Sequence, residues 1–216
     1  RHTPIPEIRR FKDIRNFFRM YQTEETDRKM SRLARSLENL SSEFPDTAID
    51  IVGSVNLGLA QKSSDVDLVL YIRSDEEACY DDDQLCDRFE EVEKEIRSIL
   101  QGDLDIEVID NINLNQVMDS ITKDDVECPA LQRFVVYRSI CRPVNYRVIA
   151  PAEDMLNENI KLRIEIEKIM AEYLQVMGTT KDTTRSFGKY QSRIQSLGVD
   201  IPDVLRKKIE QFVTSK

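Results

Sequence analysis

GSVNLGLAQKSSDVDLVLYI, residues 53–72, is the most informative stretch of this 216-residue chain. Apolar residues occupy every second position from 66 to 72, and this alternation predicts a β-strand. Residues 48–52 predict a shorter strand before it, and Gly53 and Ser54 predict a turn into a brief helix. We therefore expect a strand–helix–strand unit here, as in an α/β domain.

Asp65 and Asp67 stand at the start of the longer predicted strand. Because successive strand residues point to opposite faces, these two side chains project on the same face, about 6–7 Å apart along the backbone. Two carboxylates about 4 Å apart repel each other by on the order of 4 kcal/mol at an effective dielectric constant of about 20. A divalent cation removes this repulsion, and carboxylate oxygens suit Mg²⁺ or Mn²⁺. The pair predicts a metal site; the alternative is an acidic strand end that stays solvated.

Gly53 and Ser54 supply groups that a metal-bound triphosphate needs. Glycine lets a ligand approach the backbone closely, and a helix start presents free N–H groups and the positive end of the helix dipole. The hydroxyl of Ser54 adds a further donor. A phosphate-binding turn and a metal site are thus predicted on consecutive elements.

The spacing of these residues resembles that of the DNA polymerase beta-like nucleotidyltransferase superfamily. The shared pattern is a Gly-Ser pair, a glycine four residues after the serine, and aspartates eleven and thirteen residues after it. The residues around this pattern are most similar to the motif of the noncanonical poly(A) and terminal uridylyl transferases. These residues are Gly58, Leu59, Ala60, Lys62 and Ser64. Minimal bacterial nucleotidyltransferases share the spacing, so spacing alone does not choose between the two groups.

A third acidic position lies within residues 103–110, where acidic and apolar residues alternate. The alternation predicts a strand with Asp103, Asp105 and Glu107 on one face. Enzymes of the superfamily carry a third carboxylate on a neighbouring strand, between two hydrophobic residues, and Asp105 resembles that position best. Glu107 lies on the same face and is the second candidate. The alternative is an edge strand with a charged outer face.

The resemblance implies a metal-dependent transfer of an NMP from a nucleoside triphosphate to a hydroxyl acceptor, with release of pyrophosphate. Asp65 and Asp67 would hold two Mg²⁺ or Mn²⁺ ions, and Asp105 would hold the ion that activates the acceptor. Gly53 and Ser54 would bind the β- and γ-phosphates. The closest motif resemblance implies an RNA 3′ end as acceptor, with addition of AMP or UMP. Two alternatives stay open: a minimal nucleotidyltransferase that modifies a protein or a small molecule, and a non-catalytic nucleotide-binding or antitoxin-like module.

Composition excludes several kinds of site. The single histidine, His2, excludes histidine-based triads and histidine-rich zinc sites. The net charge of −9 argues against broad, sequence-blind nucleic-acid binding but leaves room for a local basic groove. The four cysteines lack a Cys-x-x-Cys pair and are expected to be thiols in a reducing compartment. No apolar run approaches the length of a membrane span, so a cytoplasmic location, or an organellar matrix, is expected.

The whole chain is expected to form an α/β (α+β) fold of the nucleotidyltransferase type, a mixed sheet flanked by helices, with a C-terminal helical annex. We predict N-terminal helices packing on the body in residues 1–46, the catalytic core in 47–145 and a helical domain in 146–216. The first helix carries an aromatic stripe and a basic face, which favours docking through the stripe; the alternative is an arm that binds RNA. Later helices are predicted at 111–120, 126–141 and 152–177.

Overall fold

The computed structural model describes residues 2–80 and 86–214. Within these ranges one sheet is formed by four strands: β1 (Ala48–Ile51), β2 (Val66–Ile72), β3 (Ile106–Asn113) and β4 (Arg142–Val144). The strand order is β3-β2-β1-β4, in which β2 and β3 are parallel and the other two pairs are antiparallel. The predicted mixed sheet with flanking helices and a C-terminal helical region is confirmed.

Helices surround this sheet on both faces. In chain order they are α1 (Pro6–Arg19), α2 (Glu24–Glu38), α3 (Gly53–Asn56), α4 (Asp87–Leu100), α5 (Leu114–Thr122), α6 (Pro129–Ile140), α7 (Tyr146–Glu158), α8 (Ile160–Ile169), α9 (Ala171–Gly178), α10 (Lys181–Ser196) and α11 (Asp203–Val213). Among the helices in the described ranges, none combines the length and the apolar character needed to cross a membrane.

The two faces of β2 pack against different sets of helices. Leu68 and Leu70 lie in a core shared with α2 and α4, whereas Val69 and Tyr71 lie in a core shared with helices α5 to α8. Strands covered on both faces are apolar along most of their length. The one charged residue within β2, Asp67, accordingly lies near its N-terminal end, where the strand is only partly buried.

A third core joins α1 to the C-terminal helices. The ring of Phe18 lies 6.0 Å from that of Phe187 and 6.1 Å from that of Tyr190, both on α10. Phe11 contacts Phe212 of α11 with ring centroids 5.6 Å apart. The aromatic stripe of α1 is therefore docked, and this core also holds α10 beside the residues that follow α3.

The C-terminal region differs from the single helix predicted over residues 152–177. The backbone leaves helical geometry at Asn159 (φ −105°, ψ 64°), whose side chain accepts a hydrogen bond from the N–H of Leu162 and so begins a new helix, α8. A further break at Met170 separates α8 from α9. The helix predicted from residue 111 begins only at Leu114, because β3 continues to Asn113 in a buried position of the sheet.

Two of the four cysteines form a disulfide, so the expectation of free thiols is wrong for Cys79 and Cys86. Their Cα atoms are 5.2 Å apart. The bond connects the short 3₁₀ turn after β2 to the start of α4. Cys128 and Cys141 are free and buried.

Candidate metal and nucleotide site

Three carboxylates converge at the N-terminal ends of β2 and β3. Oxygen atoms of Asp65, Asp67 and Glu107 all lie within 4.8 Å of one another. Asp65 immediately precedes β2, and the parallel register of the two strands places Asp67 directly opposite Glu107. Cross-strand neighbours project on the same face of a sheet. The predicted pair of aspartates is thus joined by the second candidate for the third position.

Asp105, the first candidate, lies outside this group of carboxylates. Its backbone carbonyl accepts a hydrogen bond from the N–H of Val66 at 2.9 Å, and its side chain is exposed just before β3 begins. The register therefore favours Glu107, two residues further along the same face. A role for Asp105 stays a prediction.

The electrostatics of the group suit a divalent cation. Burial, followed by the neighbouring charges of Asp65 and Glu107, raises the pKa of Asp67 to about 6. Within the described part of the chain, none of the three carboxylates has a lysine or arginine nitrogen within 4 Å. These three mutually repelling carboxylates form a candidate donor set for a hard divalent cation.

Gly53 fits against this acidic group in a way that only glycine allows. Its φ angle is +65°, and a Cβ atom on it would lie 2.6 Å from Oδ2 of Asp67. The backbone N–H of the preceding residue, Val52, donates to the carbonyl of Asp67 at 2.9 Å, which fixes the turn against β2. The glycine thus keeps the space beside the Asp67 carboxylate open.

Replacement of Gly53 by alanine is expected to weaken Mn²⁺ binding at least tenfold, because the added methyl group displaces the Asp67 carboxylate. Left-handed backbone strain alone costs about 1 kcal/mol at such a position. Gly198→Ala is the matched control, since its φ is +76° but nothing lies within 4 Å of the added Cβ. Isothermal titration with Mn²⁺ separates the two effects. Equal affinity in both variants would show that the carboxylate does not depend on the glycine.

A cavity of about 270 Å³ opens beside Gly53 and Asp67. One wall is formed by α3 and the opposite wall by helices α9 to α11, with Phe187 and Tyr190 among its aromatic residues. Thr183 and Ser186 add hydroxyl groups to the same wall, and the remaining lining is mainly apolar. An apolar cavity with a few polar groups, next to a metal site, has the form of a small-molecule pocket.

Tyr190 links this pocket to the carboxylates. Its pKa is raised, mainly by burial and also by the charges of Asp67 and Asp65, whereas Arg193 and a hydrogen bond with Ser186 act in the opposite direction. The phenol therefore lies within the electrostatic field of the acidic group. Sequence reasoning missed Tyr190. Ser186, Tyr190 and Arg193 have helical spacing, but this pattern does not show that Ser186 and Tyr190 line the same cavity as Asp67.

The predicted phosphate-binding residues lie at the start of α3. Gly53 lines the cavity, and Ser54 follows it with a half-buried side chain. The carbonyl of Ser54 accepts a hydrogen bond from the N–H of Leu59, which closes the turn after α3. Phosphate binding by these two residues stays a prediction.

Comparison with known protein families gives one match. Residues 11–128 match the family described as poly(A) RNA polymerase, mitochondrial-like, central palm domain. No match was found among curated proteins or among solved structures. The match covers more than half of the chain and confirms the predicted relationship to noncanonical poly(A) polymerases. The chain carries a nucleotidyltransferase-type palm and belongs to the family of mitochondrial-like poly(A) RNA polymerase central palm domains.

Proposed function

We propose that the protein is a metal-dependent nucleotidyltransferase that adds AMP or UMP to an RNA 3′ end and releases pyrophosphate. The observation that carries this proposal is the convergence of Asp65, Asp67 and Glu107 beside Gly53. The family description supports RNA as the acceptor and ATP as a donor nucleotide.

In this proposal Asp65, Asp67 and Glu107 hold the divalent ions, and Glu107 takes the third position. Two Mg²⁺ or Mn²⁺ ions, when bound, stabilise the developing charge on the entering and leaving oxygens of an in-line displacement. Glu107 also accepts the proton of the acceptor hydroxyl, because its carboxylate is exposed on the side open to solvent. The chain's histidine cannot do so, since Nε2 of His2 lies 2.9 Å from Oε1 of the buried Glu167.

The cavity next to Asp67 is the proposed place for the nucleoside. Its aromatic wall, Phe187 and Tyr190, offers apolar surface to a base, and the hydroxyls of Thr183 and Ser186 offer hydrogen bonds. Gly53 and Ser54 would then meet the phosphates at the mouth of the cavity. A nucleotide whose base lies in the cavity and whose phosphates lie next to the carboxylates would have its α-phosphate oriented toward the acceptor hydroxyl.

Incorporation of α-labelled nucleotide tests the proposal. The assay uses each of the four NTPs with Mg²⁺ or Mn²⁺ and an RNA oligonucleotide, a protein mixture or small hydroxylated molecules as acceptor. The proposal expects label on RNA, lengthened at its 3′ end, with ATP or UTP. Label on protein or small molecules alone would identify the minimal-enzyme alternative. Nucleotide-dependent thermal stabilisation without incorporation would identify a binding module.

Metal binding is expected to depend on pH near 6. Because the pKa of Asp67 is raised to about 6, its carboxyl group keeps its proton up to that pH and must lose it to bind a cation. The apparent Mn²⁺ affinity should therefore be constant above pH 7 and fall about tenfold per pH unit below pH 6. Titration of Mn²⁺ by electron paramagnetic resonance at constant ionic strength measures this. The Asp67→Asn variant should lose the inflection near pH 6, and an unchanged inflection would assign it to another group.

A further inference from the structure

Three arginines meet on the side of α3 away from its N-terminus. Arg15 and Arg19 lie on α1, and Arg142 begins β4. Arg15 donates to the carbonyl of Ile140 at 3.0 Å, and Nδ2 of Asn56 donates to the same oxygen at 2.8 Å. Arg19 donates to the backbone carbonyl of Asn56 at 2.8 Å and to its side-chain oxygen at 2.7 Å. Asn56 and Ile140 thus hold two guanidinium groups next to each other.

These arginines use few of their hydrogen-bond donors. Within residues 2–80 and 86–214, Arg142 donates to Oε1 of Gln22 at 2.8 Å, and Arg15 donates to one carbonyl. Each guanidinium has five N–H donors. The Nε atom of Arg15 is buried and has no hydrogen-bond partner in the described part of the chain. Among residues 2–80 and 86–214, no carboxylate lies within 4 Å of Arg15, Arg19 or Arg142.

The charges of the cluster oppose one another. Burial, followed by the charges of Arg142 and Arg15, lowers the pKa of Arg19 to about 9. Burial also lowers the pKa of Arg15 and of Arg142, and only the charge of Asp27 acts on Arg142 in the other direction. All three groups remain cations at neutral pH. The charge of Asp27 offsets their repulsion in part, and a bound anion would offset it further.

We propose that Arg15, Arg19 and Arg142 bind the phosphodiester backbone of single-stranded RNA. This inference rests on the proposed function, because it takes RNA as the acceptor. Guanidinium groups bind phosphate oxygens with two parallel hydrogen bonds, and the unused donors of the cluster suit that geometry. Asn56, which holds Arg19, also lines the cavity beside Asp67, so the RNA would run from this cluster toward the carboxylates.

A purely structural role is the competing explanation. Arg15 and Arg19 donate to the last residues of α6 and α3, which is a common way to satisfy carbonyls at helix ends. Arg142 can distinguish a structural role from RNA binding. Its side chain donates to the side chain of Gln22 rather than to a carbonyl at the end of a helix. Its removal should relieve repulsion in the cluster and leave the melting temperature unchanged or higher.

Fluorescence anisotropy with a labelled 12-nucleotide single-stranded RNA tests the inference, in EDTA and without NTP. Arg142→Gln should weaken binding about three- to tenfold at low salt, and its log–log salt slope should be shallower by about 0.7. Arg206→Gln on α11 makes the same change in charge at a residue outside the cluster and should bind like the wild type. Inorganic triphosphate serves as a competitor, to distinguish free phosphates from RNA.

The inference would be overturned if the wild type did not bind the RNA, or if Arg142→Gln and Arg206→Gln lost RNA affinity equally. It would also be overturned if Arg142→Gln weakened the binding of inorganic triphosphate but not that of RNA. The Asp67→Asn variant distinguishes failure of this inference from failure of the proposed nucleotidyltransferase function. Asp67→Asn should bind this RNA at least as tightly as the wild type, because it removes a negative charge and the measurement contains no metal and no nucleotide. Loss of nucleotide transfer in that variant is measured separately and does not depend on Arg142.

Discussion

Asp67→Asn is expected to reduce nucleotide incorporation by about 10³-fold or more. Asp67 lies between Asp65 and Glu107, opposite Glu107 in the strand register, and all three supply oxygens within 4.8 Å. The amide has the shape of the carboxylate but neither its charge nor its full capacity to hold a divalent ion. Loss of charge stabilisation at a reacting phosphate costs several kcal/mol of activation free energy.

The fold should survive this substitution. The pKa of Asp67 is raised by burial and by its acidic neighbours, so the ionised carboxylate that is present at neutral pH lowers the free energy of unfolding. Removing the charge should leave the melting temperature equal to that of the wild type or raise it. Loss of activity with a lower melting temperature would indicate unfolding rather than a missing ligand.

Glu107→Gln and Asp105→Asn form a matched pair for the third position. Each neutralises one exposed carboxylate, and only Glu107 belongs to the converging group. Glu107→Gln should lose activity to nearly the same extent as Asp67→Asn, whereas Asp105→Asn should stay within a few-fold of the wild type. The reverse result would restore Asp105 to the role that the sequence first favoured. Incorporation of α-labelled ATP into RNA measures all three variants.

Arg138→Met is expected to destabilise the protein by about 3–5 kcal/mol at pH 7, because it leaves a buried carboxylate without its cationic partner. Nη1 of Arg138 lies 2.6 Å from Oδ1 of Asp50, and its Nε lies 3.0 Å from Oε2 of Glu153. Asp50 is a completely buried residue of β1, and its other oxygen accepts a hydrogen bond from the hydroxyl of Tyr71 at 2.6 Å. Urea denaturation measures the change in unfolding free energy.

The destabilisation should shrink in acid. Burial raises the pKa of Asp50 to about 6 despite the charge of Arg138, so the carboxyl group can take up a proton below that pH and become neutral. The effect of Arg138→Met should therefore be smaller at pH 5 than at pH 7. The double variant Asp50→Asn, Arg138→Met removes both charges and should recover much of the loss. A double variant no more stable than Arg138→Met would contradict the explanation.

Short-range spacing is enough to predict the aspartate pair and the turn before it. Asp65 and Asp67 share a face because strand side chains alternate, and Gly53 begins a helix immediately after β1. These relations involve residues close in sequence. The structure adds the reason for the glycine, which is the position of the Asp67 carboxylate against it.

The sequence narrows the third carboxylate to two residues and favours Asp105, whereas Glu107 is the one that joins Asp65 and Asp67 in the structure. Asp105 and Glu107 are two residues apart where β3 begins, and the choice between them depends on the pairing of β2 with β3. Parallel strands are joined by a long connection that leaves their register open. This register also places Leu68 and Ile106 in the core shared with α2 and α4, and residue spacing alone does not predict that packing.

Contacts between distant segments were the least predictable. The pocket wall on α10 depends on how Phe18 of α1 packs against Phe187 and Tyr190, which lie about 170 residues later in the chain. The break at Asn159 depends on a local hydrogen bond within a sequence whose apolar spacing continues through it. Periodicity detects the apolar face in both cases, but it detects neither the partner of that face nor the end of the helix.

Crystals containing Mn²⁺ and a nonhydrolysable ATP analogue would test the central claim most directly through the anomalous scattering of manganese. Two peaks about 3.5–4 Å apart are expected, both bound by Asp65 and Asp67, with Glu107 bound to one of them and the phosphates beside Gly53. Absence of manganese between these three carboxylates at saturating concentration, or carboxylates that point away from one another, would contradict the account.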